Sequence, residues 1–452
     1  MQSSGDNNQH TQDQLQELSK ALESGAFVHV RQMLNGLPAP TIAHLLESSP
    51  HKAREVLWRL VGKDNEGEIL NYLNEDIQND ILTKLSPEEV ANITEGLETD
   101  DVADILQQLP GQVINEVLLS MGERDRHRLE RVLLYPEDTA GGLLNTDTIT
   151  VRRSHTLDVV LRYLRRHDEI PAMTDNILVV SRDDQLIGIL PITKLLVSDP
   201  NLTVNEVMIK DHDAVLVTMD DAEVAQLFER MDWVSAPVVD ETGKLLGRIT
   251  IDDIVDVIRD DADHSLMSMA GLDEEDDTFA PVFKTSKRRA VWLGINLITA
   301  FIAASVISQF SSTIDQVVAL AVLMTIVASM GGVAGNQTLT LVIRSIALGQ
   351  IGKTNSLWLI NRELAVAALN GALWAVVAGS AAAWWFSDLT LGCIFAAAMI
   401  INLITAALAG AFLPLFLRSL KIDPALAGGV ALTTITDVIG FLSFLGLASL
   451  FY

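Results

Sequence analysis

From about residue 13 to residue 134, apolar residues recur at three- and four-residue spacing with few aromatics, a period that predicts α-helix. A register repeats every twelve residues within this stretch. Leu73, Leu85, Leu97, Leu109 and Met121 are each expected to close a short helix, with Ser86-Pro87, Thr99-Asp100 and Pro110-Gly111 supplying turn or cap chemistry just after. Short helices that cannot bury a face alone stack on one another. An all-α helical solenoid over residues 14–140 is therefore expected, of undetermined hand. The polar stretch before it, MQSSGDNNQHTQ, has no apolar core and reads as a disordered tail over 1–13, not as a signal peptide.

Between about residues 145 and 261 the period changes to strand, helix, strand, strand, helix, and the unit occurs twice. Val179 and Val180 match Val238 and Val239, Gly188 matches Gly247, and Leu195 matches Ile254, all at one constant offset. A hairpin with a polar turn (Asp183-Asp184, Thr242-Gly243) and a following helix, repeated in tandem, resembles a pair of cystathionine-β-synthase (CBS) type domains, here 141–201 and 202–262. Such pairs are regulatory modules and some bind nucleotides, so ATP at this pair is left open.

The last part, 287–452, alternates long apolar runs with short polar loops. Five spans are expected, at 291–310, 317–346, 365–386, 391–417 and 425–451, since about 20 apolar residues cross a bilayer. A connecting helix, acidic and then basic, is expected at 263–286. The whole predicts a multidomain chain: an all-α solenoid, an α/β tandem CBS pair and an α-helical transmembrane bundle of five spans.

Charge separates the same regions. The net charge is −27, yet from Ala290 onward Arg344, Lys353, Arg362, Arg418 and Lys421 balance Asp315, Glu363, Asp388, Asp423 and Asp437. The whole acidic surplus lies in the first 289 residues. It argues against nucleic acid as a partner and for a surface that attracts cations. Lys284, Lys287, Arg288 and Arg289 precede the first span, and Lys353, Arg362, Arg418 and Lys421 flank the next two loops on the same side. The other loops hold only Asp315 and Asp388. By the positive-inside rule, the amino terminus is cytosolic and the carboxyl terminus external, in a multi-pass cell (inner or plasma) membrane protein. Cys393 is the single cysteine, so no internal disulfide forms.

Asp437 carries the chemistry. It sits near the middle of the apolar stretch 425–450, where a charge costs roughly 2.5–3.5 kcal/mol on insertion scales. Two readings are open: a cation site, or a protonated or hydrogen-bonded Asp held by Thr433, Thr434 and Thr436. In the second span, SMGGVAGNQT places Asn336, Gln337 and Thr338 beside Gly331, Gly332 and Gly335. Helix packing explains glycines alone; glycines with amides favour a water-lined path. In the soluble part, Asp100, Asp101 and Asp104 form an i,i+4 acid face, which is either a solvated, helix-capping face or a site. Asp252, Asp253, Asp256, Asp260, Asp261 and Asp263 crowd one helix, where like charges at i,i+4 repel. Mg²⁺ suits such surfaces because it takes oxygen ligands and keeps several waters.

These pieces resemble the MgtE family of magnesium transporters over nearly the whole chain: YPEDTAGGLL before the CBS pair, KRRAVWLGINL into the first span, MGGVAGNQT in the second, and DPALAGGVALTTITDVIGF in the last. The resemblance implies a homodimer in the lipid bilayer with Asp437 of each protomer binding a largely hydrated Mg²⁺ in the pore. It implies a plug helix around 255–280, and closure by cytosolic Mg²⁺ bound between the soluble domains. It places Asp423 at the loop before the last span, Asp100 and Asp104 among the acids of the amino-terminal domain, and Asp232, Asp253 and Asp256 among those of the second CBS unit. Val333 departs from the family, which often has Asn there. Transport of Mn²⁺ or Co²⁺, or a membrane-bound Mg²⁺ or nucleotide sensor without transport, are the alternatives. No enzyme is expected: all nine histidines precede the first span, which excludes a zinc intramembrane protease, and only Asp437 is read as a deep acid.

Overall fold

A computed structural model of the chain describes residues 20, 26–167, 170–272, 277–352 and 355–452. The expected tail at 1–13 and Lys353 lie outside the described residues. The chain divides into two compact units: Met1–Ala262 with Glu275–Pro281, and Asp263–Glu274 with Val282–Tyr452.

The first unit begins with short helices, Phe27–Leu34, Ala39–Glu47, His51–Leu60, Glu66–Asn71, Glu75–Leu82, Pro87–Ile93, Thr99–Gln107, Gly111–Ser120 and Glu123–Val132. Ser86 starts one of them with a capping box: its Oγ accepts from Glu89 N, and Glu89 returns a carboxylate to Ser86 N at 2.8 Å. The twelve-residue register holds, but its leucines do not close the helices. Leu73, Leu85, Leu97, Leu109 and Met121 each lie one to four residues past a helix end. Each donates its backbone N–H to a carbonyl three residues back, the tightened bond that uses up an orphan helix-end carbonyl. Their side chains reach the core from the turn.

Two three-stranded sheets follow, β1 (Thr150–Arg152), β2 (Asn176–Val180) and β3 (Leu186–Pro191), then β4 (Val215–Leu216), β5 (Ser235–Val239) and β6 (Leu245–Thr250). In each, the first strand is parallel to the second and the second antiparallel to the third. The duplication extends to details: Val179 faces Gly188 as Val238 faces Gly247, and the register slips at the next residue in both copies. Asp184 and Gly243 hold the same left-handed turn position, with φ of 57° and 82°. The two matched glycines have a packing reason. A Cβ on Gly188 would stand 2.8 Å from Ile209 O, and one on Gly247 would stand 2.4 Å from Asn145 O. Each hairpin thus admits the linker that leads into the other copy, with bridges Ile189–Ile209 and Asn145–Arg248.

The first CBS copy has its own apolar core around Leu157, Ile177 and Val179. The second shares one continuous core with the helical domain, in which Phe228, Val238 and Ile254 join Leu106 and Leu118. Apolar packing therefore fixes the helical acids relative to the second copy. Arg54 adds a buried ion pair: its Nη1 lies 2.8 Å from Asp277 Oδ2, while Nε and Nη2 donate to Leu46 O and Ser49 O.

A single helix, Ile251–Met269, leaves β6 directly. It replaces the separate connecting helix expected at 263–286, and residues 282–286 already belong to the first span. In the second unit, five helices among the described residues are long and apolar enough to cross a membrane: Val282–Gln309, Ala319–Ala347, Ser356–Phe386, Leu389–Ser419 and Pro424–Phe451, called the first to fifth spans below. The fourth is the most buried and packs against the second, third and fifth.

Breaking the Arg54–Asp277 pair leaves a buried charge. Arg54→Leu or Asp277→Asn should each lower the stability of the first unit by about 3–5 kcal/mol, and the double change should cost less than the sum. Denaturant titration of the full chain in detergent checks this; single losses under about 1 kcal/mol would contradict the buried pair.

Candidate cation sites

Asp100 opens the helix Thr99–Gln107 and is only 3 % exposed. Neither of its carboxylate oxygens has a hydrogen-bond partner among the described residues. A solvated face is thereby excluded for this residue. Burial and then the charges of Asp253, Asp101 and Glu98 push its pKa well above the usual carboxylate range. Asp104, one turn on, is raised well above by burial and then by Glu137, Asp101 and Asp253. Asp101 is raised by burial although Asn71 Nδ2 donates to it at 2.9 Å.

Asp253 faces this group from the start of the helix Ile251–Met269. Burial and Asp252 push it up to about 7, against two bonds from Thr250, whose N lies 3.3 Å and Oγ1 3.0 Å from Oδ2. Thr250 Oγ1 is also within hydrogen-bond reach of Asp252, so its single hydrogen is shared between the two carboxylates. Both acids lie in the first helical turn, where the helix dipole favours negative charge. The crowding farther along is partly relieved, because Arg259 pairs with Asp256 at 3.1 Å and with Asp260 at 3.4 Å. Asp260, Asp261 and Asp263 are exposed, and Asp263 belongs to the second unit. Asp232 is exposed too and ends the helix Asp221–Met231 in a left-handed conformation, φ 53°. Asp100, Asp101, Asp104, Asp252, Asp253 and Asp256 are therefore brought into one electrostatic neighbourhood, and Asp232, Asp260 and Asp263 are not among the charges that shift it.

Among the described residues, no three His, Cys, Asp or Glu side chains converge closely enough to ligate a bare ion. Two buried Asp100 oxygens without a partner among the described residues, with Asp101 and Asp253 close enough to shift both Asp100 and Asp104, make this the most strongly uncompensated acid cluster described.

In the second unit, Asp437 lies thirteen residues from the start of the fifth span, about 20 Å along its axis. The threonines expected to hold it are occupied elsewhere. Thr433 Oγ1 donates to Val430 O at 3.0 Å, Thr434 Oγ1 to Val430 O at 2.7 Å, and Thr436 Oγ1 to Thr433 O at 3.0 Å, all within their own helix. Asp437 is half-buried and accepts no hydrogen bond among the described residues. Asp423 is different: it caps the fifth span by accepting from Ala425 N and Leu426 N, and His264 Nε2 stands 3.1 Å from its Oδ2.

The second span is helical throughout SMGGVAGNQT, so the irregular backbone implied by a broken, water-lined segment is absent. Two of its glycines serve helix packing instead. A Cβ on Gly331 would stand 2.2 Å from Asn402 Nδ2, and one on Gly335 would stand 2.9 Å from the Leu432 side chain. Asn336, Val333 and Thr340 share one exposed face, and Thr340 Oγ1 lies 3.9 Å from Met269 Sδ. Gln337 is exposed at the edge of the same face. It lines a cavity of about 280 Å³ with Thr338, Arg362, Glu363 and Asn370.

Glu363 and Asn402 are buried polar groups of the second unit that the sequence reading missed. Glu363 is buried seven residues into the third span, bonded by Thr338 Oγ1 at 3.2 Å and paired with Arg362 Nη1 at 2.5 Å. Asp437 is thus not the sole acid within the five long apolar helices. The expected start of that span at residue 365 had left Glu363 outside; an acid flanked by a basic residue looks like a loop. Asn402 was visible as a lone amide in an apolar run.

Comparisons with known proteins bear on the whole chain. The family description "Divalent cation transporter" matches residues 324–447, "MgtE intracellular N domain" matches 37–138, and "CBS domain" matches 140–199 and 204–260. The magnesium transporter MgtE of Bacillus subtilis is 32 % identical over 336 residues, 74 % of either chain. The chain belongs to the MgtE family. Another MgtE, from Thermus thermophilus, is 32 % identical over 72 % of this chain and 73 % of that one. Among solved structures, the cytosolic domain of the Mg²⁺ channel MgtE in complex with ATP is 32 % identical, with a TM-score of 0.50, covering 54 % of this chain and 99 % of that one. An MgtE-type chain with a helical N domain, a CBS pair and five apolar helices is a multi-pass membrane protein.

Carboxylates whose folded pKa is raised give stability that is present below their unfolded pKa, near 3.8, and lost as pH climbs through the folded value, about 7 for Asp253 and about 6 for Asp221. In EDTA, the unfolding temperature of the first unit should therefore fall between pH 5 and about pH 7.5, and Asp100→Asn with Asp253→Asn should flatten that slope. An unchanged slope in the double variant would mean these acids do not face one another.

Proposed function

We propose that this chain carries Mg²⁺ across a membrane into the cytosol through its second unit, and that its first unit senses cytosolic Mg²⁺ and closes the path. Asp437 carries the reading: an unpartnered carboxylate at membrane depth, inside the segment matched by a divalent cation transporter family. A carboxylate in that position is stabilised by a proton or by a passing cation. Mg²⁺ is the cation in the printed names of the relatives. Two protomers each contribute an Asp437 to one path. Support for that pairing comes from the first span, which buries little of its surface within one chain and so leaves a face for lipid or a second copy.

Mutual repulsion of the two carboxylates is relieved fully by a divalent ion and only partly by a monovalent one. Because Mg²⁺ loses water reluctantly, a site that accepts it hydrated selects by hydrated size and charge. Asn336, Val333 and Thr340 on the exposed face of the second span line the same path. Val333 supplies no amide there, which leaves Asn336 to bond the hydration shell.

Closure follows from the acids of the first unit. When Mg²⁺ is scarce, Asp100, Asp101, Asp104, Asp252, Asp253 and Asp256 repel one another; when it is plentiful, hydrated ions bridge them and favour the compact state. A ligand shifts such an equilibrium only by binding one state more tightly, and a site shared between two elements exists only in the compact state. The segment after Ala262 is the plug: His264 bonds Asp423 at the head of the fifth span, and Met269 contacts Thr340 of the second. ATP binding at the CBS pair is supported by the relative's cytosolic domain crystallised with ATP. The basic flanks of the first, second, third and fourth spans support a cytosolic amino terminus.

Mg²⁺ uptake into vesicles holding the purified chain tests the reading. Asp437→Ala should reduce uptake to the leak of empty vesicles, with the protein still folded. Asp100→Asn with Asp253→Asn should leave uptake intact and raise the internal Mg²⁺ needed for half-inhibition roughly tenfold, within the usual span of allosteric coupling. Uptake equal to native in Asp437→Ala would move the ion path elsewhere, and no uptake by either protein after internal Mg²⁺ is removed would favour a sensor.

A further inference from the structure

Asn402 stands near the middle of the fourth span with no exposed surface. Its Nδ2 donates to Val327 O of the second span at 2.7 Å, and its Oδ1 has no hydrogen-bond partner among the described residues. An amide buried in this state is costlier than an alkyl side chain of the same size, so packing alone gives no reason for it. Its surroundings are cut to fit. A Cβ on Gly331 would stand 2.2 Å from its Nδ2, and a Cβ on Gly440 would stand 2.9 Å from the same atom. Gly331 belongs to the second span and Gly440 to the fifth. Three helices therefore meet around one carboxamide, and Gly440 lies three residues beyond Asp437 on the same helix.

We propose that Asn402 is a positioning residue for the transported cation: it locks the rotation and depth of the fifth span against the second, and so sets where Asp437 presents its carboxylate. The proposal rests on the reading of Asp437 as the ion site. Each residue along a helix advances the chain 1.5 Å and turns it 100°, so a small slip of the fifth span moves that carboxylate by a large part of an ion's diameter. The amide can hold such a position because its bond to Val327 O is directional, whereas apolar contacts between helices in lipid are not. A looser site would lose its preference for an ion held with its waters and would take ions that accept a carboxylate directly. Co²⁺ is the probe for that change, since transition metals bind such ligands more readily than Mg²⁺ does.

The experiment uses the full chain in vesicles, with Mg²⁺ and Co²⁺ uptake each normalised to folded protein. Asn402→Ala should lower the Mg²⁺-to-Co²⁺ uptake ratio about tenfold while cation uptake continues, the size expected from losing one interhelical hydrogen bond. Gly331→Ala alone should reduce the folded fraction, because its methyl group meets Nδ2. Combining it with Asn402→Ala should restore folding but not the ratio. A native ratio in Asn402→Ala overturns the proposal, since a purely structural role changes how much protein folds and not which ion it passes. Failure of both Asn402→Ala and the double variant to fold also overturns it. Asp437→Ala is measured alongside: uptake surviving there defeats the reading of Asp437, and with it this assignment, whatever Asn402→Ala does.

Discussion

Taking a carboxylate out of water without a hydrogen bond or a counter-charge costs several kcal/mol, and the group answers by holding a proton or by meeting a cation. Asp100 is in that position in the first unit, with both oxygens buried and unbonded. Asp437 is in a related one at membrane depth, half-buried and without a bond among the described residues. The proposed transport path and the proposed sensor are two uses of this one cost.

Other buried acids in the same chain show that the cost is avoidable. Asp277 has Arg54 at 2.8 Å, Glu363 has Arg362 and Thr338, and Asp423 caps a helix. Each is neutralised from within, and each lies where the fold has to be held. On the proposed reading, charge is left uncompensated where an external ion completes it. Asp252 and Asp253 lie in the first turn of Ile251–Met269, and within the second unit His264 stands 3.1 Å from Asp423 and Met269 3.9 Å from Thr340.

Close helix approach is the second constraint on the membrane unit. With no hydrophobic gradient to drive helices together in lipid, contact depends on small residues and on interhelical hydrogen bonds. Gly331, Gly335, Gly410 and Gly440 supply the first, and Asn402 supplies the second. The glycine-rich, amide-bearing stretch of the second span thus serves two faces of an unbroken helix: glycines inward against Asn402 and Leu432, and Asn336 outward.

Period and charge along the chain were enough to determine the helical domain, the duplicated CBS unit to the residue in its hairpins, the five apolar helices and the isolated Asp437. All of these follow from local preferences or from the composition of a continuous stretch, which a linear reading registers. What the tertiary structure decided is which polar groups are paired. Thr433, Thr434 and Thr436 looked like partners for Asp437 but bond their own helix, because a hydroxyl in a helix finds the carbonyl one turn back first. Asp100, beside Asp101, and Asp232, between Met231 and Trp233, carry no local mark of their surroundings, yet one is buried without a partner among the described residues and the other is exposed at a helix end. Glu363, hidden beside Arg362 at a span's edge, and Asn402, hidden among alanines, acquire partners 25 and 75 residues away. Pairing over such distances depends on how helices pack, and no local pattern encodes it.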